Sequence, residues 1–188
     1  MKHILIAAIA LLVCVLTASA QSKSNDVIYS QIKSSDAGRH ITLTYDAASN
    51  TSKIMAVASN FSDRDADNAG ILAMNFAAGT YYAGSALERS PDPILLSFWV
   101  LSNKPRFAAS HRFTVANGLE LLDLGEGRYA AKPQQRMEYL NFELSRADLA
   151  KIVSLPRPKF RLGENEFTFI ADHVKMLSDL LKLTDAAR

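Results

Sequence analysis

After residue 25 the hydrophobic pattern repeats every second position, and that period is what most constrains the fold. A chain alternating this way can bury its apolar set only by lying flat in a sheet. From Arg39 to Asp46, Ile41, Leu43 and Tyr45 alternate with His40, Thr42 and Thr44. Asp36-Ala37-Gly38 and Ala47 to Asn50 flank this run as turns. Lys53 to Phe61 returns with Met55, Val57 and Phe61 on one side, so residues 26–61 are expected to form a strand meander.

The middle of the chain is more apolar. Ile71 to Ala77 and Ile94 to Leu101 are near-continuous hydrophobic runs, and Pro91-Asp92-Pro93 and Asn103-Lys104-Pro105 punctuate the second. A run bounded in this way reads as a central strand, with Trp99 placed in the core. Phe107 to Val115 alternates strictly, with Phe107, Ala109, His111, Phe113 and Val115 on one face. Residues 119–124 and 128–132 make a hairpin across Gly125-Glu126-Gly127, and Tyr139 to Leu144 is a further strand.

Helical spacing enters late. Ser145 and Asp148 form a capping box, in which each side chain satisfies a backbone N–H that the first turn leaves free. Leu149, Ile152 and Val153 mark the helix behind it, which stops before Pro156. Pro158 to Leu162 and Glu166 to Ile170 pair as a hairpin. From Asp172 a second helix carries Val174, Leu177 and Leu181 on one stripe. Strands first and helices last predict an α+β fold, mainly antiparallel β as a sheet or sandwich, with two late helices and the C-terminal one packed on the sheet.

The N-terminus carries a different signal. Lys2 and His3 precede an uninterrupted apolar run from Ile4 to Leu16, followed by Ala18-Ser19-Ala20. A short basic start, an apolar centre and small residues at alternate positions are the parts of a cleaved export signal. A membrane span needs roughly 20 apolar residues, more than this run holds. Cys14 follows Val13 rather than a small residue, and the apolar run continues past it, so lipid attachment there is not expected. The expected organisation is a signal at 1–20, a flexible tether at 21–25, one domain at 26–184 and a tail at 185–188. The destination is the periplasm or the cell exterior.

Cleavage leaves 168 of the 188 residues, enough for one core, and removes the only cysteine. Packing, not disulfides, must therefore stabilise the domain. Residues 26–103 hold five Lys/Arg against eight Asp/Glu, whereas 104–161 hold eleven against six. That excess is mild and far below the density of a nucleic-acid-binding surface.

Few residues carry candidate chemistry. Asp63, Asp65 and Asp67 alternate in a loop, as carboxylates converging on Ca²⁺ do. Met74 stands where an EF-hand loop ends in its bidentate Glu, and the plain alternative is a solvated loop. No cofactor other than Ca²⁺ is expected. His40, His111 and His173 lie in separate elements without metal-ligand spacing. His40 and His173 are expected at the surface, while His111 sits on an apolar strand face and is a binding candidate or a hydrogen-bonded core residue. Arg157, Lys159 and Arg161 alternate, either as a stripe for an acidic partner or as charges protecting a sheet edge. Ala83-Gly84-Ser85-Ala86 lacks the second glycine of a nucleophile elbow, and phosphate-loop, metalloprotease and dinucleotide motifs are absent.

These observations lead to an exported, non-catalytic binding module whose partner is an envelope protein or an anionic surface polymer. The alternatives are a hydrolase with a site assembled from distant residues, and a structural accessory subunit. Intact-mass measurement of the exported protein is expected to give a chain starting at Gln21. A mass that retains residues 1–20, or a diacylglycerol adduct, contradicts the cleavage.

Overall fold

The computed structural model describes residues 22–59, 61, 69–117 and 120–186. The expected leader at 1–20 and the aspartates at 63, 65 and 67 lie outside the described residues. Residues 23–25, expected as a tether, are built into the domain. Lys23–Ser24 form β1, and Ser24 caps the helix α1 at Asn25–Ser34 by accepting from the Val27 amide at 3.4 Å. An early helix thus occupies the first part of the 26–61 stretch expected as a strand meander. Its buried residues are Ile28 and Ile32 alone, while Val27 and Tyr29 stay exposed, so its apolar face is too narrow to reveal a helical period.

The strands follow as β2 (Ile41–Asp46), β3 (Thr51–Ser59), β4 (Ile71–Ala83), β5 (Ala86–Leu87), β6 (Ile94–Ser102), β7 (Arg112–Asn117), β8 (Glu120–Glu126), β9 (Arg128–Lys132) and β10 (Met137–Leu144). Helix α2 (Arg146–Ser154), strands β11 (Lys159–Leu162) and β12 (Asn165–Thr168), and helix α3 (Ala171–Leu183) complete the chain. Every strand pair is antiparallel. A six-stranded sheet runs β2-β3-β4-β6-β10-β9, a four-stranded sheet runs β12-β11-β7-β8, and β1 pairs with β5. At α2 Ser145 caps the helix as expected, its Oγ accepting from the Asp148 amide at 3.0 Å, while Asp148 Oδ2 accepts from the Ser145 hydroxyl at 2.6 Å in place of the return bond to a backbone amide that a full capping box makes.

One face of the large sheet is buried. On it lie Ile54 and Ala56 of β3, Met74, Phe76 and Ala78 of β4, Ile94, Leu96, Phe98 and Val100 of β6, and Leu140, Phe142 and Leu144 of β10. Over one half of this face sits the small sheet, which contributes Phe113, Val115, Phe160, Leu162 and Phe167. Ring centroids of Phe98 and Phe113 are 5.8 Å apart, those of Phe113 and Phe142 5.0 Å, and those of Phe160 and Phe169 4.3 Å. Over the other half lie α1 and α3, the latter against β3 and β4.

The last helix is an integral cover, as its stripe predicts, although the stripe is turned. Leu177 is buried together with His173, Met176, Leu180 and Leu183, while Val174 and Leu181 are only partly covered. Helix α3 is also tied at its end, because the Arg146 guanidinium donates to Thr184 Oγ1 at 2.8 Å and Lys23 Nζ donates to the Leu183 carbonyl at 3.3 Å.

Four strand assignments change. Strands β8 and β9, expected to pair as a hairpin across Gly125-Glu126-Gly127, part into different sheets, β8 beside β7 and β9 beside β10. In β3 the buried set is Ile54, Ala56 and Ala58, and Met55 and Val57 point outward, opposite to the expected phase. Trp99 is half-buried on the outward face of β6, not in the core. Strand β7 begins only at Arg112, so Phe107 reaches the core from a loop and Ala109 is exposed.

Leu177 has no exposed surface and its helical neighbour Leu181 retains some, so truncation separates them. Leu177→Ala is expected to cost about 2–5 kcal/mol in urea unfolding, and Leu181→Ala distinctly less.

Candidate functional site: the uncovered face of the large sheet

Alternation along β6 fixes the outward row as Leu95, Ser97, Trp99 and Leu101. In register, Trp99 lies between Asn75 on β4 and Tyr139 on β10, and Tyr139 in turn faces Ala130 on β9. Ser97 lies between Ala77 and Asn141 in the same way. Tyr81, farther along β4, faces Lys53 of β3 and is half exposed at 50%. No described element lies over this face.

Small residues keep the surface flat. Gly79 faces Met55, and a Cβ added there would meet the Ile54 carbonyl oxygen at 2.8 Å and Met55 Cγ at 2.9 Å. Ala73, Ala77 and Ala130 occupy other outward positions. Cations bracket the aromatic row. Lys53 Nζ stands 5.6 Å from the Tyr81 ring centroid, and Lys132 Nζ stands 5.4 Å from that of Tyr139. Such contacts are worth about 0.5–1 kcal/mol at exposed sites. Arg128, also outward, is matched by Glu143 at 2.6 Å.

Beyond Tyr81 the face opens into a cleft of about 830 Å³, lined there by Tyr81, Leu95 and Glu143 together with Glu88, Arg89 and Asp92. Asp92 is already engaged, accepting from the Arg146 amide at the start of α2 at 3.1 Å. Beneath the cleft a polar knot joins three elements. The Tyr82 hydroxyl donates to Asn25 Oδ1, Asn25 Nδ2 donates to Ser52 Oγ at 2.8 Å, and Ser52 Oγ donates to the Gly84 carbonyl at 2.6 Å. Burial pushes the Tyr82 phenol up from its ordinary value, and the nearby Ser52 hydroxyl offsets part of that rise.

His111 lies elsewhere. Its ring stacks on Tyr129 at 5.3 Å, and its Nδ1 is 3.5 Å from Glu126 Oε2 without a hydrogen bond between them. Tyr129 donates to Glu138 Oε1 at 3.1 Å, and the same buried carboxylate accepts from the Arg106 and Phe107 amides at about 3.0 Å and from Ser102 Oγ at 3.2 Å. That carboxylate holds the loop after β6 in place, and the Tyr129 hydroxyl is committed to it. His111 and Glu126 do not line the cleft.

The basic triplet is divided. Arg157 precedes β11, whereas Lys159 and Arg161 both meet Glu166 across the hairpin, at 3.1 and 3.6 Å. Strand β11 runs between β12 and β7, so the edge-protection reading does not hold. His40 is exposed as expected. His173, expected at the surface, is 4% exposed, with its ring 4.8 Å from Phe61 and 5.1 Å from Phe76. Among the described residues no group of three or more His, Cys, Asp or Glu is placed to hold a metal ion, and no helix is long and apolar enough to cross a membrane.

Sequence reasoning missed Trp99, Tyr139, Tyr81 and the two lysines as a group. The one available signal is Ser97. Its polar side chain marks the odd positions of β6 as outward and carries Trp99 with them. The class defined by these features is a two-sheet antiparallel α+β domain with one naked sheet face. No protein-family model, curated protein or solved structure matches the chain.

Tyr82 supplies a pH prediction. A group whose pKa is raised on folding contributes stability that is full below its unfolded value, near 10 for tyrosine, and is lost as pH rises through the folded value. Urea midpoints of the native chain should fall above about pH 10, and Tyr82→Phe should show a shallower fall.

Proposed function

We propose that this chain is an exported, non-catalytic binding module that engages its partner through the uncovered face of the large sheet. The observation that carries the reading is the cross-strand pair Trp99 and Tyr139, with Tyr81 six residues along β4 from the Asn75 that faces Trp99, all outward with no described element above them. Tryptophan and tyrosine give large contact area at low entropic cost and concentrate binding energy. An aromatic surface of this kind left open on a folded domain marks an interaction site. Export is supported by the leader at Ile4 to Leu16 with Ala18-Ser19-Ala20 behind it.

The hydrolase alternative finds less support. His111 has an acidic neighbour in Glu126, but it lies outside the cleft, and the hydroxyl of its stacking partner Tyr129 is held by Glu138.

Capture from the native envelope fraction by immobilised residues 21–188 tests the reading. A stoichiometric partner is expected for the unaltered chain and is lost with Trp99→Asp at unchanged melting temperature. Retention of the partner by a folded Trp99→Asp, or turnover in a hydrolase screen, rejects the proposal.

A further inference from the structure

We infer that two copies of this chain associate through the open edge of β2, antiparallel and about a two-fold axis at Leu43, so that their six-stranded sheets join into one. The inference goes beyond the binding-module reading and does not rest on it.

The two larger sheets have four edge strands, and three of them carry the devices that discourage pairing. Strand β9 has Arg128 and Lys132 at its ends, β8 has Glu120, Asp123 and Glu126 with a register shift against β7, and β12 is four residues long with Glu166 within it. Strand β2 has none of these. From Ile41 to Tyr45 it carries no charge and no proline, and its register with β3 is unbroken. Helix α1 packs against β2 from the core side, with Ile28 and Ile32 in the same cluster as Ile41, and among the described residues no strand pairs with the outer edge.

Backbone geometry sets the register of a self-pairing. The Val57 amide donates to the carbonyl of His40 at 2.9 Å, so the hydrogen-bonded pairs with β3 fall at the even positions of β2. Ile41, Leu43 and Tyr45 therefore turn their N–H and C=O groups to the open side. A two-fold pairing centred on Leu43 engages all three in each copy, for six interchain hydrogen bonds within the strand. Moving the centre by one residue engages fewer.

The side chains agree with that register. Residues paired across an antiparallel seam share a face, so Thr42 meets Thr44 of the second copy, Leu43 meets its own counterpart, and Ile41 meets Tyr45, whose ring is 47% exposed. Thr–Thr and aromatic–β-branched pairs are favourable cross-strand neighbours. One position farther out, exposed His40 comes opposite exposed Asp46 of the second copy, and symmetry makes this contact twice. Asp46 is held at the strand end by the Ala48 amide and the Ser49 hydroxyl, at 2.9 and 2.8 Å. No pair between His40 and Asp46 sets like charges together. Because the joined sheet continues through the seam, the two Trp99 faces lie on the same side of it, and a partner with repeated sites is held at two points.

One strand per copy is a small interface, so the association is weak and depends on concentration. Sedimentation equilibrium of residues 21–188 between roughly 10 µM and about 1 mM is expected to show monomer passing to dimer. Thr42→Glu with Thr44→Glu places like charges directly opposite at two points and should weaken the dimer at least tenfold, whereas Thr42→Lys with Thr44→Glu places opposite charges there and should keep it, with thermal unfolding alike in both. The domain has no cysteine, so Leu43→Cys reports the axis directly. Paired Cα atoms about 5.5 Å apart are within disulfide reach, and mild oxidation should link two copies at Leu43→Cys and leave Ala131→Cys, on the edge strand β9, unlinked.

A chain that stays monomeric at about 1 mM, a dimer equally tight with Glu at both threonines, or linkage at Ala131→Cys as fast as at Leu43→Cys overturns the inference. A dimer dispersed by Trp99→Asp but not by the two glutamates also overturns it, because the second copy then sits on the sheet face. If the edge pairing fails while Trp99→Asp still releases a stoichiometric protein from the envelope capture, the binding module stands alone.

Discussion

The contact between the phenylalanines of the two sheets organises everything else in this molecule. Phe98, at the centre of β6, has ring neighbours in Phe76 and Phe142 on its own sheet, Phe113 and Phe160 on the small sheet, and Phe61 from the loop. Edge-to-face and offset contacts of this kind add about 0.5–1.5 kcal/mol per pair beyond the area they bury. Because they all lie on one side of β6, they fix which side of the large sheet is the inside. Helices α1 and α3 then complete the cover that the small sheet is too short to provide. Without cysteine in the domain, this aromatic layer is the main source of cohesion.

Burial on one side has a functional counterpart. A six-stranded sheet covered once leaves an equal area facing outward, and beside Thr42, Thr44 and the Arg128–Glu143 pair the chain furnishes that area with aromatic rings, small residues and two lysines. Exposed Tyr81 sits beside Lys53, and Tyr139 beside Lys132. The same strands therefore serve the core with one set of side chains and present a surface with the other. The candidate site inherits the rigidity of the sheet, since each of its residues lies on a strand paired on both sides or, for Lys132, on the edge strand β9.

Much of the fold was legible from local pattern. Strands β2, β6 and β10 announce themselves by alternation or by punctuated apolar runs, Ser145 and Asp148 mark the start of α2, and the stripe around Leu177 marks α3 as a cover. What misled was phase and context. Strand β3 offers Met55 and Val57 on one side and Ile54 and Ala56 on the other, and nothing local ranks two apolar sides; the packing of α3 against β3 selects the smaller residues for the inside. His173 looked like a surface residue because the first turn of a helix is usually wet, yet α3 lays that turn against Phe61 and Phe76. Arg161 looked like part of a free basic stripe because its partner Glu166 becomes its neighbour only when the hairpin closes.

Read by itself, the amino-acid order determined an antiparallel β architecture and a helix that closes it, because each of these depends on periods, caps and residue types within short windows. Tertiary structure alone decided that Trp99, Tyr139 and Tyr81 share an open surface with Lys53 and Lys132. Those five residues come from β3, β4, β6, β9 and β10, and strand register and the choice of buried face are set by distant contacts. The physical reason is that both sides of β6 carry large apolar side chains, Ser97 apart, and the phenylalanines of β4, β7, β10 and β11 settle which side is buried.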